Sequence, residues 1–143
     1  MLAIAGDSTV RRVADQDLIA RTLALYCQFC DDGRFDEWGE LFVEDARFTV
    51  LGQTHQGRAN IQAWIEKAQP PEQRGKHFLG QSVVDIDAGG DTASGVTDYS
   101  FISRTPEGGY AITSAGRYHD ILARSSTDDR WRFVSREIRF LGS

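Results

Sequence analysis

From Gln16 onward, apolar side chains recur at three- and four-residue intervals: Leu18, Ile19, Leu23, Tyr26, Cys27 and Cys30. That spacing is one buried face of a helix, and Asp15 stands where an N-cap belongs. Asp31-Asp32-Gly33 breaks the pattern. A short second helix is expected next, with Phe35, Trp38, Leu41 and Phe42 on one side and Asp36, Glu37 and Glu40 on the other. Residues 47–51 read as a strand. Gly57 precedes a third helix striped by Ile61, Trp64, Ile65 and Ala68, which Pro70-Pro71 ends because proline cannot continue the hydrogen-bond ladder.

The second half has a different period. Four long β-like runs are expected at about 77–87, 92–105, 110–124 and 131–141. They are joined by Ala88-Gly89-Gly90-Asp91, Pro106-Glu107-Gly108-Gly109 and Ser126-Thr127-Asp128-Asp129-Arg130. Short Gly- and Asp-rich connections suit antiparallel hairpins. Helices first and a strand meander afterwards define an α+β chain rather than an alternating βαβ one. Strands of this length must twist, and a curved sheet folding around the three helices makes a cone with an interior. Function is expected there.

Composition narrows the classes. The 143 residues carry 16 basic and 21 acidic side chains, a net charge of −5. Nucleic acid is not expected as a partner, since phosphate binding needs a basic field. No charge-free run approaches the about 20 residues of a membrane span. Met1 to Ala5 is too short for a secretory core, so the cytoplasm is the expected location. One domain over 15–143, preceded by a 1–14 extension, accommodates the pattern. Cys27 and Cys30 fall late in a helix, the wrong end for a thiolate redox pair. The three histidines are too scattered to complete a zinc site. The cysteines read as small helix-face residues, and neither a metal nor a cofactor is expected.

Several residues invite chemistry. Asp31 is placed at the unfavourable, negative end of a helix dipole; it is either a solvated turn residue or an inward carboxylate with a partner. His77 opens the first long strand as a surface residue or a base. Parity leaves its face open, because Leu79 and Val83 share it while Phe78, Val84 and Ile86 occupy the other. Only a bulge would change that. In the next-to-last strand, alternation groups Ile112, Gly116, Tyr118, Asp120 and Leu122 inward and turns Arg117 and His119 outward. Asp120 is then an acid in a buried row. Arg139 shares a face with Trp131, Phe133 and Leu141, and needs an anion partner or a route to solvent. Phosphate loops, nucleophile elbows and H-E-x-x-H are absent from the sequence.

The order of several segments resembles the SnoaL-like branch of the NTF2-like superfamily, which includes scytalone dehydratase, bile-acid 7α-dehydratase and hexachlorocyclohexane dehydrochlorinase. The carrying segments begin with Tyr26-Cys27-Gln28-Phe29-Cys30-Asp31-Asp32-Gly33-Arg34-Phe35-Asp36-Glu37-Trp38 and Leu41-Phe42-Val43-Glu44-Asp45-Ala46. Then come Lys76-His77-Phe78-Leu79-Gly80, Gly116-Arg117-Tyr118-His119-Asp120 and Trp131-Arg132-Phe133 with Arg136. The resemblance implies a cone-shaped, mostly antiparallel sheet, a hydrophobic pocket, and a homodimer or homotrimer. It also implies an Asp31–His77 pair with Tyr26 as a third catalytic residue, and places Arg139 at a functional arginine's position. Cys30 and Val50 stand where scytalone dehydratase has tyrosines, and Ser103 near its second histidine. A cofactor-independent lyase acting on a small hydrophobic cyclic compound is expected, with Trp38, Phe42, Phe48, Val50, Trp64, Tyr99, Phe101, Tyr118, Asp120 and Arg139 about the pocket. Isomerisation or epoxide opening in the same pocket is an alternative. So is a non-catalytic role, as a ligand-binding module or the small subunit of a ring-hydroxylating dioxygenase.

Overall fold

The computed structural model describes residues 2–142. Helix α1 spans Leu2–Asp31, and Asp15 lies inside it rather than capping it. The apolar stripe could not reveal the earlier turns, because Val10 and Val13 there are exposed. Asp15 is instead buried, accepting a hydrogen bond from Trp131 Nε1 at 3.1 Å. The helix ends as Asp31-Asp32-Gly33 foretold. Gly33 has φ 73°, its N–H reaches Cys30 O at 3.1 Å, and Arg34 N–H reaches Phe29 O at 2.8 Å. This is a Schellman closure, which needs a left-handed residue that glycine supplies without steric cost.

Helix α2 is Phe35–Gly39, shorter than expected, for Phe42 already opens strand β1 (Phe42–Val50). Leu51 and Gly52, with φ 53° and 74°, turn the chain into β2 (Gln53–Gln56). That strand is missing from the sequence expectation because its four residues are all polar. Helix α3 covers Arg58–Ala68. A 3-10 turn at Pro71–Gln73 leads to β3 (Lys76–Ile86), β4 (Thr92–Arg104), β5 (Tyr110–Arg124) and β6 (Trp131–Phe140). The sheet order is β2-β1-β6-β5-β4-β3, with β1 and β6 parallel and the other pairs antiparallel. The fold is therefore α+β, a mixed, mostly antiparallel sheet packed with helices.

Register shifts decide which side chains enter the cone. Leu79 faces Tyr99, but Ser82 faces Thr97, so β3 carries an extra residue at Gly80-Gln81. Likewise β5 carries one at Thr113, and β6 at Val134. Each bulge bends the strand and reverses the facing of everything beyond it. His77, Leu79, Val84 and Ile86 are consequently all partly buried while Phe78 and Val83 are exposed. Ile112, expected inward, is exposed for the same reason. The core beneath the helices is an aromatic cluster: Trp38, Phe42, Phe48 and Phe133 are fully buried, with Trp38–Phe42 and Phe42–Phe133 centroids 4.8 and 5.2 Å apart. No helix among the described residues is long and apolar enough to cross a membrane.

Candidate active site

Asp31 closes α1 and His77 is the second residue of β3. The Schellman turn stops the helix with the Asp31 carboxylate facing the strand. Its Oδ2 accepts the His77 backbone N–H at 2.9 Å, and its Oδ1 lies 2.6 Å from His77 Nδ1. Only 4% of the Asp31 side chain and 11% of the His77 side chain are exposed. These two donors offset the repulsion that a carboxylate meets at a helix C-terminus. A carboxylate has no proton to give, so Nδ1–H is the donor of this hydrogen bond, and in the neutral ring Nε2 is the nitrogen with the lone pair.

His77 lines a cavity of about 210 Å³, as do Tyr26, Val50, Trp64, Tyr99, Phe101 and Tyr118. The His77 ring packs on Phe101 at 4.6 Å, and Tyr99 stacks on Tyr118 at 4.5 Å. Gly116, opposite Tyr99, permits this: a Cβ there would lie 3.0 Å from the Tyr99 ring and collide with Arg139 O. Burial pushes the Tyr26 hydroxyl up from its ordinary range, with Arg136 opposing in part. Tyr26 therefore stays protonated and remains a donor. Tyr99 O–H shares a hydrogen bond with Ser114 Oγ at 3.0 Å, and burial raises its titration as well.

Four expected pocket residues stand elsewhere, and a fifth is a surface arginine. Trp38, Phe42 and Phe48 belong to the solid core and do not line the cavity. Asp31 lies behind His77. Asp120 is buried, but it holds Arg136 in a two-pronged pair at 2.7 and 2.8 Å instead of facing the cavity. Arg139 is a correction: its side chain is 61% exposed and pairs with Glu137 at 2.7 Å on the outer face. The Val134 bulge exchanged the two arginines, bringing Arg136 in and sending Arg139 out.

Arg136 has no role in the sequence-based site, although it is the cation that a buried Asp120 demands. Its guanidinium lies 3.8 Å from the Tyr118 ring centroid and 4.2 Å from that of Tyr26. Burial opposes its charge, yet Asp120 more than compensates and the guanidinium titrates above its usual range. The sequence reading also passed over Gln69, Ser114, Ile138 and Phe140 in the cavity wall.

Potential ligand atoms of Cys30, Asp31 and His77 lie within 4.8 Å of one another. Burial, together with the Asp31 charge, pushes the Cys30 thiol well above its ordinary range. Both Asp31 oxygens already hold His77. The donor set suits proton transfer better than metal coordination. Cys27, pushed up to about 12 mainly by burial, is likewise a packing thiol.

A curved, mostly antiparallel sheet closed by helices over an aromatic cavity defines the NTF2-like fold class. Within it, the chain belongs to the SnoaL-like domain family, whose profile matches residues 11–137. It is similar to an NTF2-like protein of Novosphingobium aromaticivorans with a cystatin-like fold: 28% identity, TM-score 0.85, over 96% of this chain and 89% of that one. A candidate scytalone dehydratase from the same organism shares the fold at 20% identity and TM-score 0.77, over 92% and 87% of the two chains. So does the β subunit of a candidate aromatic-ring-hydroxylating dioxygenase, at 24% identity and TM-score 0.76, over 92% and 91%. No curated protein matches the sequence.

Proposed function

We propose that this protein is a cofactor-independent lyase of the dehydratase type, with Asp31 and His77 as its proton-transfer pair. The observation that carries the reading is the 2.6 Å contact between Asp31 Oδ1 and His77 Nδ1 at the wall of an aromatic cavity. His77 Nε2 takes a proton from the carbon next to a substrate carbonyl, and the C–H electrons move into an enolate. Asp31 stabilises the imidazolium so formed. The enolate electrons then form the C=C bond as the β-carbon–oxygen bond breaks, and His77 returns its proton to the departing hydroxide as water. Tyr26 donates a hydrogen bond to the enolate oxygen, the point at which charge develops. Trp64, Tyr99, Phe101 and Tyr118 favour a small cyclic apolar substrate.

The test is turnover of a panel of cyclic β-hydroxy ketones, followed by ultraviolet absorbance of the enone. Asp31→Asn and His77→Ala are each expected to lower kcat by about 10²–10⁴-fold, the contribution of general acid–base catalysis. Near-wild-type turnover in both variants would end the proposal. Solvent deuterium entering a product that has lost no leaving group would reassign the same pair to isomerisation. The fold-level likeness to a dioxygenase β subunit supports a non-catalytic reading, which stable co-purification with a large metal-containing partner would favour.

A further inference from the structure

The buried Asp120–Arg136 pair takes no part in the proton-transfer pair, yet it stands directly behind the cavity wall. The Arg136 guanidinium occupies a box of three rings: its Cζ is 3.8 Å from the Tyr118 centroid, 4.2 Å from that of Tyr26 and 4.3 Å from that of Phe133. Two of these rings, Tyr26 and Tyr118, also line the cavity beside His77. A cation therefore lies one ring behind the site. Asp120 grips only its Nε and Nη2, at 2.7 and 2.8 Å. Nη1 is buried with no hydrogen-bond partner, so the corner of the guanidinium that Asp120 does not reach has no neutralising acceptor.

A buried ion pair is a weak source of stability, because desolvating both charges offsets most of their attraction. Its place behind two phenols gives this one a second use. Burial pushes the Tyr26 and Tyr118 hydroxyls up, and Arg136 opposes that in both. The other titratable groups facing Tyr26 are Cys27 and Cys30 on its own helix, His77 at 6.4 Å and Tyr118 at 5.6 Å between ring centroids. Arg136 is the permanent cation of the set. A positive charge behind a phenol favours negative charge at its oxygen, which makes the O–H a stronger donor to an anionic acceptor.

We propose that Arg136 is a positioning residue that acts through Tyr26 and Tyr118, biasing the cavity toward a ligand that carries an oxyanion, an enolate or a phenolate, over the same ligand in its neutral form. This rests on the cavity being the site of the proposed lyase, for which it supplies charge organised in advance of the enolate, but it is read by binding rather than by turnover.

Absorbance titration of 4-nitrophenol, whose phenol and phenolate differ in colour, tests it, with 4-nitroanisole as the ligand that cannot ionise. In the wild type the phenolate is expected to bind about tenfold tighter than the phenol. In Asp120→Asn/Arg136→Met, which keeps neither charge, the preference should fall to about twofold or less while 4-nitroanisole affinity is kept. Asp120→Asn alone leaves the cation without its counter-ion and should raise the preference, whereas a merely structural pair would lower it in both variants. His77→Gln should retain most of it. Equal binding of phenol and phenolate by the wild type, a preference that survives in the double variant, or one that vanishes in His77→Gln would overturn the proposal. Circular dichroism checks the fold of each variant, and the wild-type comparison stands without any of them. Asp31→Asn separates the two proposals: wild-type turnover in it ends the lyase reading and leaves the phenolate preference, whereas a missing preference with the Asp31 kinetic effect intact refutes this one alone.

Discussion

At the scale of single residues, two ionisable pairs occupy the interior and do different work. Asp31–His77 is open to the cavity on the histidine side. Asp120–Arg136 is sealed, with side-chain exposures of 1% and 0%, and it underlies the rings of Tyr26 and Tyr118. Removing one member of such a pair strands the other charge in a medium that cannot solvate it. Asp120→Asn and Arg136→Met are each expected to destabilise the protein by about 3–5 kcal/mol in urea unfolding. The double variant should lose clearly less than their sum, since neither charge then remains unpaired. Strictly additive losses would show that the two side chains are not coupled. The buried acid in the Tyr118–Asp120–Leu122 row was readable from alternation, but its partner was not, because alternation alone brings Arg139 inward in place of Arg136.

At the scale of elements, the bulges do what propensity cannot. Val134 is the extra residue where Ile121 pairs with Ser135 and Leu122 with Phe133. Deleting it makes the Leu122–Phe133, Ile121–Ser135 and Asp120–Arg136 pairs consecutive, so strict alternation then keeps Arg136 facing inward toward Asp120. The deletion is therefore expected to cost clearly less than the about 3–5 kcal/mol of breaking the buried pair. Urea midpoints of the deletion and of Arg136→Met compare the two, and a deletion as costly as Arg136→Met would refute this account of the arginine exchange. The strands and α3 were legible because their apolar periods are clean. β2, all polar, and the early turns of α1, with Val10 and Val13 exposed, carry no such period.

At the scale of the molecule, the helical and sheet-forming halves are joined by a few buried polar contacts. Trp131 Nε1 donates to Asp15 at 3.1 Å, and Thr22 Oγ1 donates to Trp131 O at 2.8 Å. These tie α1 to the central strand β6, while Asp31 ties the far end of the same helix to edge strand β3. Asp15→Ala leaves the Trp131 indole N–H buried without an acceptor, at an expected cost of about 1–3 kcal/mol. Thermal and urea unfolding check it, and a variant within experimental error of wild type would show that the indole finds another partner.

Local pattern sufficed for the α+β class, the helix stop at Gly33, the extents of β3 to β6 and the presence of an acid beside the first turn. Each depends on neighbours within a few residues, where period, turn chemistry and steric limits act directly. That Asp31 meets His77 across 46 positions follows from the family resemblance and not from any local pattern, whereas tertiary structure alone decided that Arg136 rather than Arg139 is buried, and that Trp38, Phe42 and Phe48 fill the core instead of walling the cavity. A one-residue bulge reverses a strand's facing, and whether space between packed rings stays empty depends on every wall at once; neither is written in any single stretch of chain.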